Sequence, residues 1–132
     1  MKKTRKYHHA IPITLLLASL ALGCVDLDPF GFQTRDLPGD YRLHKHESGS
    51  YYVEDASGSV VMEGVVTRIG WNDEYIIAWR RAFANIDPNG WMVLDLTTKT
   101  LRGPLSEKEV KTFVEEQKIS IYSVKEAWDK AS

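Results

Sequence analysis

The sequence predicts an α+β fold, an antiparallel five- to six-stranded meander sheet followed by two short C-terminal helices. Three observations predict it. Between Tyr41 and Arg102, short runs of strand formers recur, each closed by a turn rich in Gly, Asn, Asp or Ser. After Gly103-Pro104 the apolar spacing changes from two residues to three and four, the helical period. The links between strand runs are short, so neighbours in sequence are expected to pair antiparallel.

The first strand run, Tyr41 to His46, puts Tyr41, Leu43 and Lys45 on one face and Arg42, His44 and His46 on the other. Glu47 to Ser50 is a turn, Tyr51 to Glu54 the second strand, and Asp55 to Gly58 a second turn. Ser59 to Ile69 reads as a longer strand whose alternation slips at Glu63-Gly64, as a bulge would make it. Gly70 to Glu74 is a turn. Tyr75 to Arg81 is apolar on both sides, the mark of a central strand. A loop from Phe83 to Gly90 leads to a strand at Trp91–Thr97, and Thr98-Lys99 turns it into a short last strand, Thr100 to Arg102.

Two helices complete the domain. Ser106 stands three residues before Glu109, and Ser123 three before Glu126, each a capping-box spacing. Val110, Phe113, Val114 and Gln117 share one face of the first helix; Val124, Ala127, Trp128 and Ala131 form the stripe of the second. Ile119 to Tyr122 is an apolar joint between them. Helices this short do not stand alone in water, so both are expected to dock on one face or an edge of the sheet.

The N-terminus has a different chemistry. Lys2, Lys3, Arg5 and Lys6 precede an uncharged run from Ala10 to Leu22, a secretory signal too short for a comfortable bilayer span. Leu20-Ala21-Leu22-Gly23-Cys24 resembles the lipobox of bacterial lipoproteins, with Ala21 and Leu22 in reversed order. The resemblance implies that Cys24 is acylated and becomes the first residue of the mature chain. Cys24 is the sole cysteine, so an internal disulfide is excluded. The expected organisation is a signal peptide at 1–23, an acylated N-terminus and flexible tether at 24–40, and a single α+β globular domain at 41–132. The tether would reach about 50 Å fully extended. Within it, Phe30 and Phe32 are expected to pack on the domain edge or dip into lipid headgroups. Val25 after the cysteine points, by analogy with enterobacterial sorting, to the outer membrane facing the periplasm.

Removing residues 1–23 leaves 109 of the 132 residues and takes away four cations, which moves the formal net charge from −1 to −5. Such an acidic product is not expected to bind nucleic acid, which needs a basic patch. Its attachment to the membrane is expected to be the acyl group rather than a polybasic segment.

The run from Asn72 to Val110 resembles a recurring domain of small bacterial lipoproteins of unknown function. Asn72-Asp73, Trp91 to Asp95, Thr97 to Thr100 and Gly103-Pro104-Leu105-Ser106 carry that likeness, which implies a fold and no activity.

Three constellations are candidates for chemistry. His44 and His46 lie two apart on a strand with Glu47 beside them, a spacing that suits zinc or copper, although a site needs a third ligand. Arg80 and Arg81, with Asp95 and Glu74 on neighbouring strands, suit cross-strand ion pairs or an anion. Trp71, Tyr75, Trp79 and Trp91 are either core packing or an aromatic face that grips a protein or a glycan. No phosphate loop, zinc-protease motif or nucleophile elbow occurs, and no cofactor is implied. The expectation is a lipid-anchored module of the bacterial envelope that binds an envelope or secreted protein, possible inhibition of a basic secreted enzyme included. A small hydrolase or metal-dependent enzyme using His44, His46, Glu47 or Asp95 is the alternative.

Overall fold

A computed structural model describes residues 33–83 and 88–131. The leader, Cys24, Phe30, Phe32 and the centre of the Phe83–Gly90 loop lie outside the described residues. The α+β class holds, and the strands divide between two antiparallel sheets. The elements are β1 (Gln33–Asp36), β2 (Arg42–Lys45), β3 (Tyr51–Glu54), β4 (Gly64–Trp71), β5 (Tyr75–Ala82), β6 (Gly90–Asp95), β7 (Thr100–Leu105), α1 (Glu107–Gln117), β8 (Tyr122–Ser123) and α2 (Val124–Lys130).

β1, β2 and β3 form a small meander of their own, which the single-sheet reading did not foresee. The second sheet has the order β7-β6-β5-β4-β8, with β5 at its centre as its two-sided apolar pattern requires. What separates the sheets is the stretch after β3. Ser59 to Glu63 was expected as strand, but only Val60 makes an isolated bridge, to Glu54. β4 begins at Gly64, where a Cβ would lie 2.4 Å from the Arg81 carbonyl oxygen. The bulge expected at Glu63-Gly64 is not there: Gly64 pairs regularly with Ala82, and the register shift falls further along, between Val66 and Arg68. β4 also runs to Trp71, so the turn shrinks to Asn72–Glu74. Asn72 closes that turn. Its Oδ1 accepts from the Glu74 and Tyr75 amides at 2.8 Å, and its Nδ2 donates to the Gln117 carbonyl at the end of α1.

The expected tether is shorter than its composition suggested. Gln33–Asp36 pairs with β2 in register Gln33↔Lys45 to Asp36↔Arg42, a 3-10 turn at Pro38–Asp40 follows, and Leu37 is buried. Pro38 and Gly39 therefore shape a turn inside the fold rather than a linker.

The large sheet is covered on both faces. Ile76, Ala78, Met92 and Leu94 meet Leu43 and Val53 of the small sheet and Val124, Ala127 and Trp128 of α2. On the reverse face, Ile77, Trp91 and Val93 meet Val110 with Phe113 and Val114 of α1. The helices thus take opposite faces, where one face or an edge was expected. The reason lies in the joint: Tyr122-Ser123 pairs as β8 with Ile69 and Arg68, so the chain crosses the sheet edge between the helices. The first capping box is complete, with Glu109 N–H to Ser106 Oγ at 3.1 Å and Ser106 N–H to Glu109 Oε2 at 2.8 Å. In the second, Ser123 Oγ caps the Glu126 amide, but the carboxylate accepts from the Ser123 hydroxyl instead of its backbone. β7 is longer than expected, extending to Leu105 through a cis Gly103-Pro104 bond.

Candidate functional site

Trp71, Tyr75, Trp79 and Trp91, weighed as core packing or as one aromatic face, are divided between the two faces of the large sheet. β5 and β6 are antiparallel and in register, so Trp79 faces Trp91 and both lie beneath α1. Trp91 is 3% exposed, its indole N–H donates to Glu107 Oε1 at 3.1 Å, and the Arg68 guanidinium covers its ring. Tyr75 meets Phe113 edge-on at 5.0 Å. Trp71 packs on the opposite face with the other core. The set is a packing device divided between two layers, and the core account of these residues is the one the geometry supports.

Arg80 and Arg81 point to opposite sides of β5. Arg81 is exposed, whereas Arg80 is 6% exposed, and neither makes an ion pair with Asp95 or Glu74. Arg80 Nη1 donates to the Glu63 carbonyl at 2.7 Å, Nη2 approaches Met92 Sδ at 3.6 Å, and Nε has no acceptor. A buried cation without a carboxylate keeps most of its desolvation cost, and an apolar side chain of similar length escapes it. Glu63 is exposed, so water is at hand for its carbonyl. Arg80→Met is therefore expected to match or exceed the parent in urea unfolding. A loss of more than about 1 kcal/mol would show that the hydrogen bond to Glu63 outweighs the burial of the charge.

His44 and His46 take separate partners. His44 Nδ1 lies 2.7 Å from Glu54 Oε2, and His46 Nδ1 accepts from the Ser48 amide at 3.2 Å. The carboxylate that meets His44 is thus Glu54, across the β2–β3 ladder, and not the sequence neighbour Glu47, which is exposed. The sequence placed Glu54 only as the last residue of the second strand run. Among the described residues, no group of three or more His, Cys, Asp or Glu side chains could hold a metal ion.

Clefts open at one end of the small sheet. A cleft of about 440 Å³ is lined by Asp36, Leu37, Gly39, Asp40, Tyr41, Arg42 and Ala56. It shares Gly39, Asp40, Tyr41 and Ala56 with a neighbouring cleft of about 320 Å³ whose lining adds Asp55, Ser57 and Lys99. Volumes of this order suit a small ligand or a few side chains of a partner. Gly39 and Asp40 both hold positive φ, 72° and 65°, and Lys99 does too at 58°. A Cβ at Gly39 would come within 3.3 Å of the Leu96 side chain, so the turn lies tight against the large sheet.

Asp55 is the best-organised charge in this groove. Its Oδ1 accepts from the Ser57 amide, the Ser57 hydroxyl and the Ser59 amide at 2.6–3.0 Å. These bonds hold its carboxyl below the ordinary aspartate range, the Ser57 hydroxyl first among them, with Arg42 adding a favourable charge. Arg42 in turn reaches the Asp55 carbonyl at 3.4 Å. A depressed carboxylate pKa means stability that is present above the unfolded value, about 3.9, and lost as pH falls through the folded one. Asp55→Ala is expected to lower the Tm at neutral pH, with the gap to the parent closing in acid. A gap that persists unchanged into strong acid would remove the ionised carboxylate as its cause. Sequence reading had taken Asp55 as a turn former and missed the groove, because Asp36, Asp55 and Lys99 meet only through tertiary folding.

Comparison with known protein families, with curated proteins and with solved structures finds no match to this chain.

Proposed function

We propose that this chain is a lipid-anchored protein of the bacterial envelope whose folded domain works by contact, binding a basic segment of an envelope or secreted protein. The lipobox-like run ending in Cys24 and the likeness of Asn72–Val110 to a lipoprotein domain support the location. The observation that carries the contact reading is the groove from Asp36 to Lys99. Its organised carboxylate, Asp55, is held ionised by three donors. A group titrating well below the working pH is a poor proton shuttle, since general acid–base catalysis favours a pKa near that pH. It is a good fixed charge for an ammonium or guanidinium group. Asp40, which lines both clefts, Asp36 in the first of them, and a mature net charge of −5 add to the attraction for a basic partner.

The test is a photo-crosslinking amino acid placed at Ala56 in the groove and, as a control, at Lys111 on α1, in the full chain expressed in its host. A discrete adduct is expected from Ala56 only, and it should be lost in Asp36→Asn/Asp40→Asn. Equal adducts from both positions, or an adduct indifferent to that double variant, would refute a charged groove as the binding site. Labelled palmitate should enter the parent and not Cys24→Ser.

A further inference from the structure

We propose that the domain is held in one orientation on the bilayer, with the Lys45–Tyr52 end of the small sheet against the lipid headgroups and the groove facing away. This rests on the acylation of Cys24 proposed above. The first observation is the length of chain between lipid and fold. β1 begins at Gln33, nine residues after Cys24. Nine residues in any conformation span at most about 30 Å, little more than half the reach of a tether running to Asp40. The bound acts at a defined place, because Gln33 pairs with Lys45, which pairs with Tyr51. The chain therefore enters the fold beside the His46–Ser50 turn. The groove is at the other end of the same strands, where Asp36, Arg42 and Glu54 stand in register.

The second observation is the chemistry of the two ends. Tyr52 meets Phe83 in a tilted contact at 5.7 Å and His46 edge-on at 6.4 Å. Phe83 is 59% exposed, the most exposed large apolar side chain among the described residues. It follows directly on β5, and Arg81 lies at that same strand end. Lys45 belongs to this end of the small sheet as well, and among the described residues Glu47 and Glu63 are the acids there. Aromatic rings with basic side chains form the usual membrane-interface pairing, the rings entering the headgroup layer and the cations meeting phosphate. At the opposite end, the clefts and turns gather Asp36, Asp40, Asp55, Asp73, Glu74 and Asp95 around Arg42, Lys99 and Lys130. An anionic surface repels that end, so charge and tether length select the same orientation. The groove is then presented to a partner away from the membrane.

Full-length acylated protein is reconstituted into protein-free vesicles of phosphatidylethanolamine and phosphatidylglycerol carrying headgroup-region spin-labelled lipid. A fluorophore is attached at Ser48→Cys or at Ala56→Cys, the native thiol being blocked by its lipid. Loss of emission is expected from the Ser48 probe and not from the Ala56 probe. Phe83→Ser should reduce the loss at Ser48, as should a long Gly/Ser insertion before Gln33. Equal quenching at both sites, or quenching at Ala56 alone, would overturn the proposed orientation. So would a Ser48 probe that is unquenched in vesicles but shielded in native membranes, which would assign this end to a protein. Palmitate labelling is read on the same samples. A labelled protein with the wrong quenching pattern fails this inference alone, whereas an unlabelled protein fails the anchoring reading itself.

Discussion

Trp91→Ala is expected to cost about 3–5 kcal/mol, the range for truncating a large buried aromatic, and to leave the domain largely unfolded at 37 °C. Trp91 is nearly inaccessible and lies where β6, β7 and α1 meet. Truncation removes the area buried against Trp79 and α1. It also strips Glu107 of the indole donor and leaves Arg68 without the ring it covers. Because Arg68 and Glu107 come from different elements, the loss should loosen α1 from the sheet as well as open a cavity. Urea unfolding followed by tryptophan fluorescence and circular dichroism measures it. Trp91→Phe should recover most of the packing and none of the hydrogen bond. A cost below about 1 kcal/mol for the alanine variant would mean that the α1 face contributes little to stability.

Gly70→Val should be damaging for the opposite reason, an excess of volume. A Cβ at Gly70 would sit 2.3 Å from the Ser120 carbonyl oxygen and 2.8 Å from Ile119 Cγ2. The contacting atom is backbone, in the joint between α1 and β8, so no rotamer change relieves it. Overpacking of a filled core costs about 1–3 kcal/mol, and displacing backbone puts the expected value at or above the upper end. The pairing of Ile69 with Tyr122 should be lost, and with it the docking of α2. Amide exchange in β8 and α2 would report this directly. Unchanged protection there would show that the joint yields without cost.

Both predictions concern residues whose importance the sequence signalled unevenly. Trp91 was legible as a strand aromatic, but its fate depended on whether α1 covered that face. Gly70 was read as a turn residue, since a glycine after a strand usually is one. Its real constraint is the close approach of a segment fifty residues later, and nothing local encodes that. Likewise Gln33–Asp36 has the composition of a linker. It becomes strand because β2 offers it an edge, and pairing overrides its weak propensity. The groove was not legible at all, because its carboxylates come from β1, the Pro38–Asp40 turn and the Asp55 turn.

The sequence by itself determined the α+β class, the antiparallel pairing of neighbours, the central position of β5, both serine helix caps and the apolar stripes of the helices. Each of these follows from local periodicity or from a side chain reaching its own backbone. Tertiary structure alone decided that the strands split into two sheets, that the helices cover opposite faces, that Trp91 and Arg80 are buried and that His44 meets Glu54. Those outcomes depend on which surfaces meet in space, where the free energy comes from area buried between segments of different elements and from no signal within any one of them.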